Sequence, residues 1–557
     1  MSSEPAEETP RKPGARRWLL PAAFFVVGAL ITAGIFALLL NIMQRKQEGT
    51  QANFQVVQLT EKSFDPAEWG KNYPSQYEGW KNTAINQGTV TPREPATTVG
   101  DGMVTPSKLK ADPRLVTMWQ GYAFAVEYNE PRGHAHMLDD QRLVKRVQAP
   151  FKQPGACLNC HSSLPEVLSN IGGDTATAWA TMNKTAYADA TKWASHPVTC
   201  IDCHDPQTMA LRITRPAFIE GIKELKASQG VKDWDISKAT NNEMRAFVCA
   251  QCHVEYYFAG DAKTLTFPWD KGLTANNALD YYDEIGFSDF TQSLTGAKVI
   301  KAQHPDYETW AQGIHAQNGV TCADCHMPYI RQGAVKVSDH QVASPMNSEE
   351  QINRTCLTCH RATAAEMKQR VETIQSRWKA SQSISFDALD QLIRDLAAAK
   401  QSGTVNPDWI AAAQQWQRKA QFFQDYTVSE NSKGFHAPQY SLTLINSVTD
   451  AAFRGQLALK GITLPTTIDP TKNTPLIATP APTTAPATPA PTTAAPDGVG
   501  TRTTRNPMST CGRSMNHVSE KVDAVKLTRS FAAPPRCWRF EGVTGSIDSF
   551  HSDTLPA

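Results

Sequence analysis

Five copies of Cys-x-x-Cys-His constrain this chain more than any other feature: Cys157-Leu158-Asn159-Cys160-His161, Cys200-Ile201-Asp202-Cys203-His204, Cys249-Ala250-Gln251-Cys252-His253, Cys322-Ala323-Asp324-Cys325-His326 and Cys356-Leu357-Thr358-Cys359-His360. The two cysteines of such a motif form thioethers to porphyrin vinyl groups, and the histidine after them ligates the iron. One copy can be accidental; five between Cys157 and His360 make the chain a pentahaem cytochrome c, with His161, His204, His253, His326 and His360 as the proximal ligands. Of the 12 cysteines only Cys511 and Cys537 stand outside the motifs. A disulfide framework does not group cysteines three apart with a histidine after each pair. A zinc site pairs two such motifs at short range and does not need histidine after every one.

An uncharged stretch, residues 19–40, is long enough to cross a bilayer, which takes about 20 residues. Arg11, Lys12, Arg16 and Arg17 precede it, against Arg45 and Lys46 after it. The larger positive cluster stays in the cytoplasm, which puts the bulk of the chain outside. An uncleaved anchor over 19–43 in the bacterial inner membrane, with the haem-bearing part in the periplasm, is therefore expected. A cleaved signal peptide is the rival, but Leu38-Leu39-Leu40-Asn41-Ile42-Met43 offers no small-residue cleavage site. Net charge +1 with 20% charged residues gives no nucleic-acid signature.

The expected organisation is a cytoplasmic basic tail (1–18), the anchor, a connector (44–75), a pentahaem domain (76–360) and a helical region (361–462). A Pro/Thr/Ala linker (463–500) and a disordered tail (501–557) follow. The fold class is mainly α, with few strands, a haem-packed core and long C-terminal helices. Met367, Val371, Ile374 and Trp378 recur as a buried helix stripe, continued by Leu389, Ile393 and Leu396. Asn406 and Pro407 read as N-cap and first turn of another helix, whose stripe is Trp409, Ala413, Trp416, Ala420 and Phe423. Packing on the haem domain accounts for both stripes, and a homodimer along them is also expected.

A low-spin haem needs a second axial ligand. Between anchor and linker the histidines outside the motifs are His134, His136, His196, His304, His315, His340 and His436. Seven candidates for five places leave it open whether any iron is uncapped.

Around the motifs the chain closely resembles the pentahaem, ammonia-forming cytochrome c nitrite reductases over about residues 76–460. The resemblance is carried by Cys249 to Phe258 (CAQCHVEYYF), Lys301-Ala302-Gln303-His304-Pro305, Tyr128 to His134 (YNEPRGH) and motif spacings of 43, 49, 73 and 34 residues. It implies that His134, His340, His315 and His436 are distal ligands of haems 3, 2, 5 and 4, numbered by motif. Haem 1 is left open, and His136 and His196 are surplus. It implies a pocket over haem 1 formed by Arg146, Tyr256 and His304, where nitrite takes six electrons and eight protons to ammonium and two waters. Arg142 and Lys145 compete with Arg146 for its place. Arg146 and His304 are expected to supply positive charge and hydrogen bonds to the nitrite oxygens, and His304 protons.

The same resemblance implies a calcium site from the side chains of Glu255 and Gln303 and the carbonyls of Tyr256 and Lys301. It also implies a membrane quinol-oxidising cytochrome as electron donor. One departure matters: most members of the family have lysine where His161 stands. A bis-histidine electron-transfer cytochrome without catalysis is the alternative function, and hydroxylamine, nitric oxide or sulfite reduction at the same iron is a lesser one.

Overall fold

Helix-forming sequence dominates the computed structural model, which describes residues 16–48, 55–85, 88–333 and 335–464. All of them belong to the first of two units, Met1–Pro470. The first part of the basic tail, the linker from 465 onward, the tail with Cys511 and Cys537, and part of the connector lie outside the described residues.

The N-terminal apolar stretch forms a helix, Arg16–Glu48, longer at both ends than the apolar run that marks it. Its segment Ala23–Asn41 is exposed and is long and apolar enough to cross a bilayer. The expected connector carries helices of its own. Asp65 caps Pro66–Asn72 by accepting from Ala67 N at 2.8 Å, and Pro74–Lys81 follows after Tyr73.

Strands are few. Among the described residues they form four two-stranded antiparallel sheets, the longest pairing Tyr329–Gln332 with Val335–Ser338. That hairpin ends two residues before His340.

Three long helices close the described chain: Ala364–Ser402, Pro407–Ser429 and Pro438–Ala458. Thr363 and Glu366 make a capping box at the first, and Asn406 accepts from Asp408 N at 2.8 Å at the second. Val371, Trp378, Leu389, Ile393 and Leu396 are buried, as are Ala413, Ala420 and Phe423. Trp409 departs from the expected stripe. It is 40% exposed and lies against Gly461, because at the first turn of its helix it reaches past the end of the bundle rather than into it. Gly455 lets the third helix close on the others; a Cβ there would lie 2.7 Å from Leu392.

The haem motifs do not make up the whole interior. Beside them lies an aromatic-rich core in which Trp119, Tyr128, Tyr257, Tyr282, Phe386 and Phe422 are buried together. Within it the Lys301 ammonium, 1% exposed, pairs with Asp425, 0% exposed, at 3.0 Å, and bonds Ser429 Oγ at 2.9 Å and the Ala302 carbonyl.

Candidate haem ligands and active site

Each motif needs its two cysteines and its histidine on one face, which a single helical turn provides at i, i+3 and i+4. In the second and fourth motifs the turn is nucleated by the sequence itself. Thr199 and Asp202, and likewise Thr321 and Asp324, form capping boxes in which the aspartate between the cysteines accepts from the threonine N–H at 2.8 Å. The third motif ends the helix Asn241–Ala250, itself capped by Thr240 and Glu243.

Arg215 staples three motifs together. Its Nε donates to Asn159 O at 3.0 Å, its Nη2 to Ser162 O at 3.1 Å and its Nη1 to Asp202 at 2.7 Å, while its main-chain N–H bonds Gln251 at 3.2 Å. No spacing in the sequence distinguishes this arginine. Cysteine neighbours give the order of the motifs in space. Cys160 faces Cys252, and Cys249 faces Cys322. Cys203 lies near Cys249 and Cys252, and Cys325 near Cys356 and Cys359. The third motif is thus the junction between the first, the second and the fourth.

Four of the five motif histidines stand opposite a second imidazole. Ring centres lie 6.3 Å apart for His253 and His134, 6.2 Å for His204 and His340, 6.5 Å for His326 and His436, and 6.3 Å for His360 and His315. Two imidazoles on opposite sides of one metal, each nitrogen about 2 Å from it, put their centres roughly 6 Å apart. The orientations fit as well. Nδ1 is engaged by an oxygen in His161 (Met137 O, 3.3 Å), His204 (Met209 O, 2.9 Å), His326 (Ala343 O, 3.1 Å), His340 (Ser338 O, 2.8 Å) and His253 (Asp306, 3.0 Å), which leaves Nε2 for iron. Burial holds His134, His161 and His326 down at about 4, so each is the neutral imidazole that a metal binds.

Among the described residues no histidine ring pairs with His161 in this way. His136 bonds the Ala84 carbonyl at 2.9 Å, and His196 sits against the buried Glu166 at 3.0 Å, so both surplus histidines have structural partners.

Around His161 gather the three residues expected there. The Arg146 guanidinium is near enough to lower His161 and to interact with Cys157 and Tyr256; Tyr256 in turn neighbours Cys157 and Cys160. His304 is close enough to be lowered by His161. Arg146 donates to Glu127 O at 3.0 Å and stacks 4.4 Å from the Phe124 ring centre. Its competitors point elsewhere: Arg142 bonds Thr191 and Ala194 O, and Lys145 is exposed.

One expectation changes. Burial outweighs the opposing pull of Asp306 and holds His304 at about 3. It is a neutral hydrogen-bond donor near pH 7, not a standing positive charge. Tyr122, near Cys157 and Arg146, belongs to the same wall and carries no motif that marks it.

Glu255 is 1% exposed and its carboxylate has only neutral partners: Tyr282 Oη donates at 2.9 Å and Gln303 N at 2.6 Å. The Gln303 amide nitrogen lies 3.0 Å from Lys301 O. Turned over, the same amide presents oxygen beside that carbonyl and carboxylate, an all-oxygen set that fits calcium. Glu308, pushed up to about 8 by burial, accepts from Glu255 N and from Trp269, and its Oε2 has no partner.

Sequentially distant histidines brought face to face over contiguous thioether motifs define a multihaem c-type cytochrome. The cytochrome c552 family model matches residues 65–494, and the chain belongs to that family, carrying covalent haem c on its five motifs. The cytochrome c-552 of Parabacteroides distasonis is 38% identical over 454 residues, 79% of this chain and 85% of its own. That of Bacteroides fragilis is 36% identical over 458 residues, covering 80% and 86%. Among solved structures, a cytochrome c nitrite reductase catalytic subunit from Desulfovibrio desulfuricans with two calcium sites aligns with TM-score 0.61 at 29% identity, over 73% of this chain and 88% of that one.

Proposed function

We propose that this protein reduces nitrite to ammonium at the first motif, fed with electrons through the other four. The observation that carries the reading is the asymmetry among motif histidines: among the described residues His161 has no imidazole opposite, and Arg146 and His304 lie near it instead, with Tyr256 beside Arg146 and the two cysteines of the motif. His134, His340, His436 and His315 cap the haems of the third, second, fourth and fifth motifs. Haem c at Cys157 and Cys160 supplies the iron and the electrons. Arg146 binds the anion and orients its oxygens. His304 and Tyr256 donate hydrogen bonds to oxygens that must leave as water. Glu255, Gln303 and the carbonyls of Tyr256 and Lys301 would hold calcium, which would fix Tyr256, just before the strand Tyr257–Ala259, and the segment before His304.

The N-terminal helix anchors the protein to the inner membrane with its catalytic part in the periplasm, beside a quinol-oxidising donor. The chain works as a homodimer.

Electron paramagnetic resonance of the holoenzyme tests this: one high-spin haem, perturbed by nitrite, beside four low-spin ones. Ammonium formed per nitrite, with a viologen donor, then measures full reduction. Five low-spin haems would instead establish an electron-transfer cytochrome, and turnover of hydroxylamine or sulfite without nitrite a different reductase.

A further inference from the structure

The axial histidines differ in what their second nitrogen touches. His161, His204, His326 and His340 engage main-chain carbonyls, which are neutral acceptors. His253 Nδ1 donates instead to the carboxylate of Asp306 at 3.0 Å. Asp306 is 7% exposed and firmly held: Asn431 N donates to its Oδ1 at 2.7 Å, and Asn431 Nδ2 to its Oδ2, the oxygen that receives His253, also at 2.7 Å. His436 Nδ1 also faces a carboxylate, that of Glu430 at 2.7 Å, whereas the acceptor of His253 is fixed by two further donors from Asn431.

A charged acceptor draws the Nδ1 proton and makes the ring a stronger donor to the metal, which favours the oxidised iron. His253 also belongs to the motif whose cysteines neighbour those of the first, second and fourth.

We propose that Asp306 is a positioning residue that lowers the reduction potential of the haem at the junction motif, through its hydrogen bond to His253. This rests on His253 and His134 ligating one iron, which the count of low-spin haems in the unaltered protein tests separately. The two variants that test Asp306 have opposite signs. Asp306→Asn removes the charge at nearly constant shape. Asn431→Ala removes a competing donor from Oδ2 and leaves that oxygen freer to pull on His253.

Potentiometric titration of the purified holoenzymes, followed by visible absorption and electron paramagnetic resonance, reads both. Asp306→Asn makes one of the four low-spin haems about tenfold easier to reduce, and Asn431→Ala makes the same haem harder to reduce. Shifts of the same sign in both, shifts spread over all haems, or none in Asp306→Asn would overturn the proposal. Should Asp306→Asn fail to retain five haems, Asn431→Ala decides alone: a lowered potential supports the proposal, and an unchanged or raised one overturns it.

Discussion

Gly313 packs directly under His436: a Cβ built on the glycine would lie 2.0 Å from the His436 carbonyl oxygen. The contact joins the segments of two proposed distal histidines, because His315 is two residues after Gly313 and its ring lies tilted 6.0 Å from that of Phe435. A side chain at 313 must push one of these segments away. Gly313→Ala should therefore uncap the haem of the fourth or fifth motif. The measurement is the number of high-spin haems, expected to rise above one, with carbon monoxide binding to the extra iron. Overpacking of this kind also costs about 1–3 kcal/mol.

Arg146→Ala should lower kcat/KM for nitrite by roughly 10²–10³-fold, the cost of losing one charged donor to a developing oxyanion. Glu127 O and the Phe124 face hold the guanidinium in place, so Arg146→Lys should recover only part of the loss. All five haems should remain attached. Steady-state kinetics with haem quantification checks this, and unchanged turnover in Arg146→Ala would remove it from the active site.

The buried pair Lys301 and Asp425 makes a prediction about stability. Asp425→Ala leaves an ammonium 1% exposed without its counter-charge, which costs about 3–5 kcal/mol. A fall in Tm of the holoenzyme, larger than that for any exposed ion pair, is expected. If Lys301 O is one of the proposed calcium ligands, added calcium should recover less Tm in the variant than in the parent.

Acid should loosen the loop that carries His134. Arg132 donates to Asp101 at 2.7 Å and to Asp140 at 2.6 Å, and it holds Asp101 at about 2. The folded value is depressed, so this stabilisation is present above the ordinary carboxylate range, near 4, and is lost as pH falls through about 2. Asp101→Asn should be less stable than the parent at pH 5 by on the order of 1 kcal/mol, given the pair's partial exposure. The gap should close between pH 4 and pH 2; a gap that persists at pH 2 would contradict the assignment.

Chelation should act on the Glu255 site. Removing calcium leaves a buried carboxylate with only neutral donors, so Tm should fall and turnover with it. Glu255→Gln should abolish the response of Tm to calcium while retaining five haems.

Much of this molecule is written in short segments. The motifs announce themselves because thioether attachment demands two cysteines and a histidine on one helical turn. Thr199 with Asp202 and Thr321 with Asp324 even encode the caps of those turns. Helix stripes such as Leu389, Ile393 and Leu396 are equally local. Trp409 leaves its stripe because a periodic stripe says which face is apolar, not where the partner helix ends. Arg215 and Asp306 were invisible for a related reason. A buried charge is spelled like a solvated one, and only the groups folded around it reveal which it is.

The sequence alone therefore determined how many haems the chain carries and where each is attached, since covalent attachment is a contiguous chemical requirement. The tertiary structure decided which histidine faces which, and that among the described residues none faces His161. The facing rings belong to residues far apart in the chain, such as His134 with His253 and His204 with His340. Only the packed fold, with close approaches like that of Gly313 to His436, brings such rings face to face.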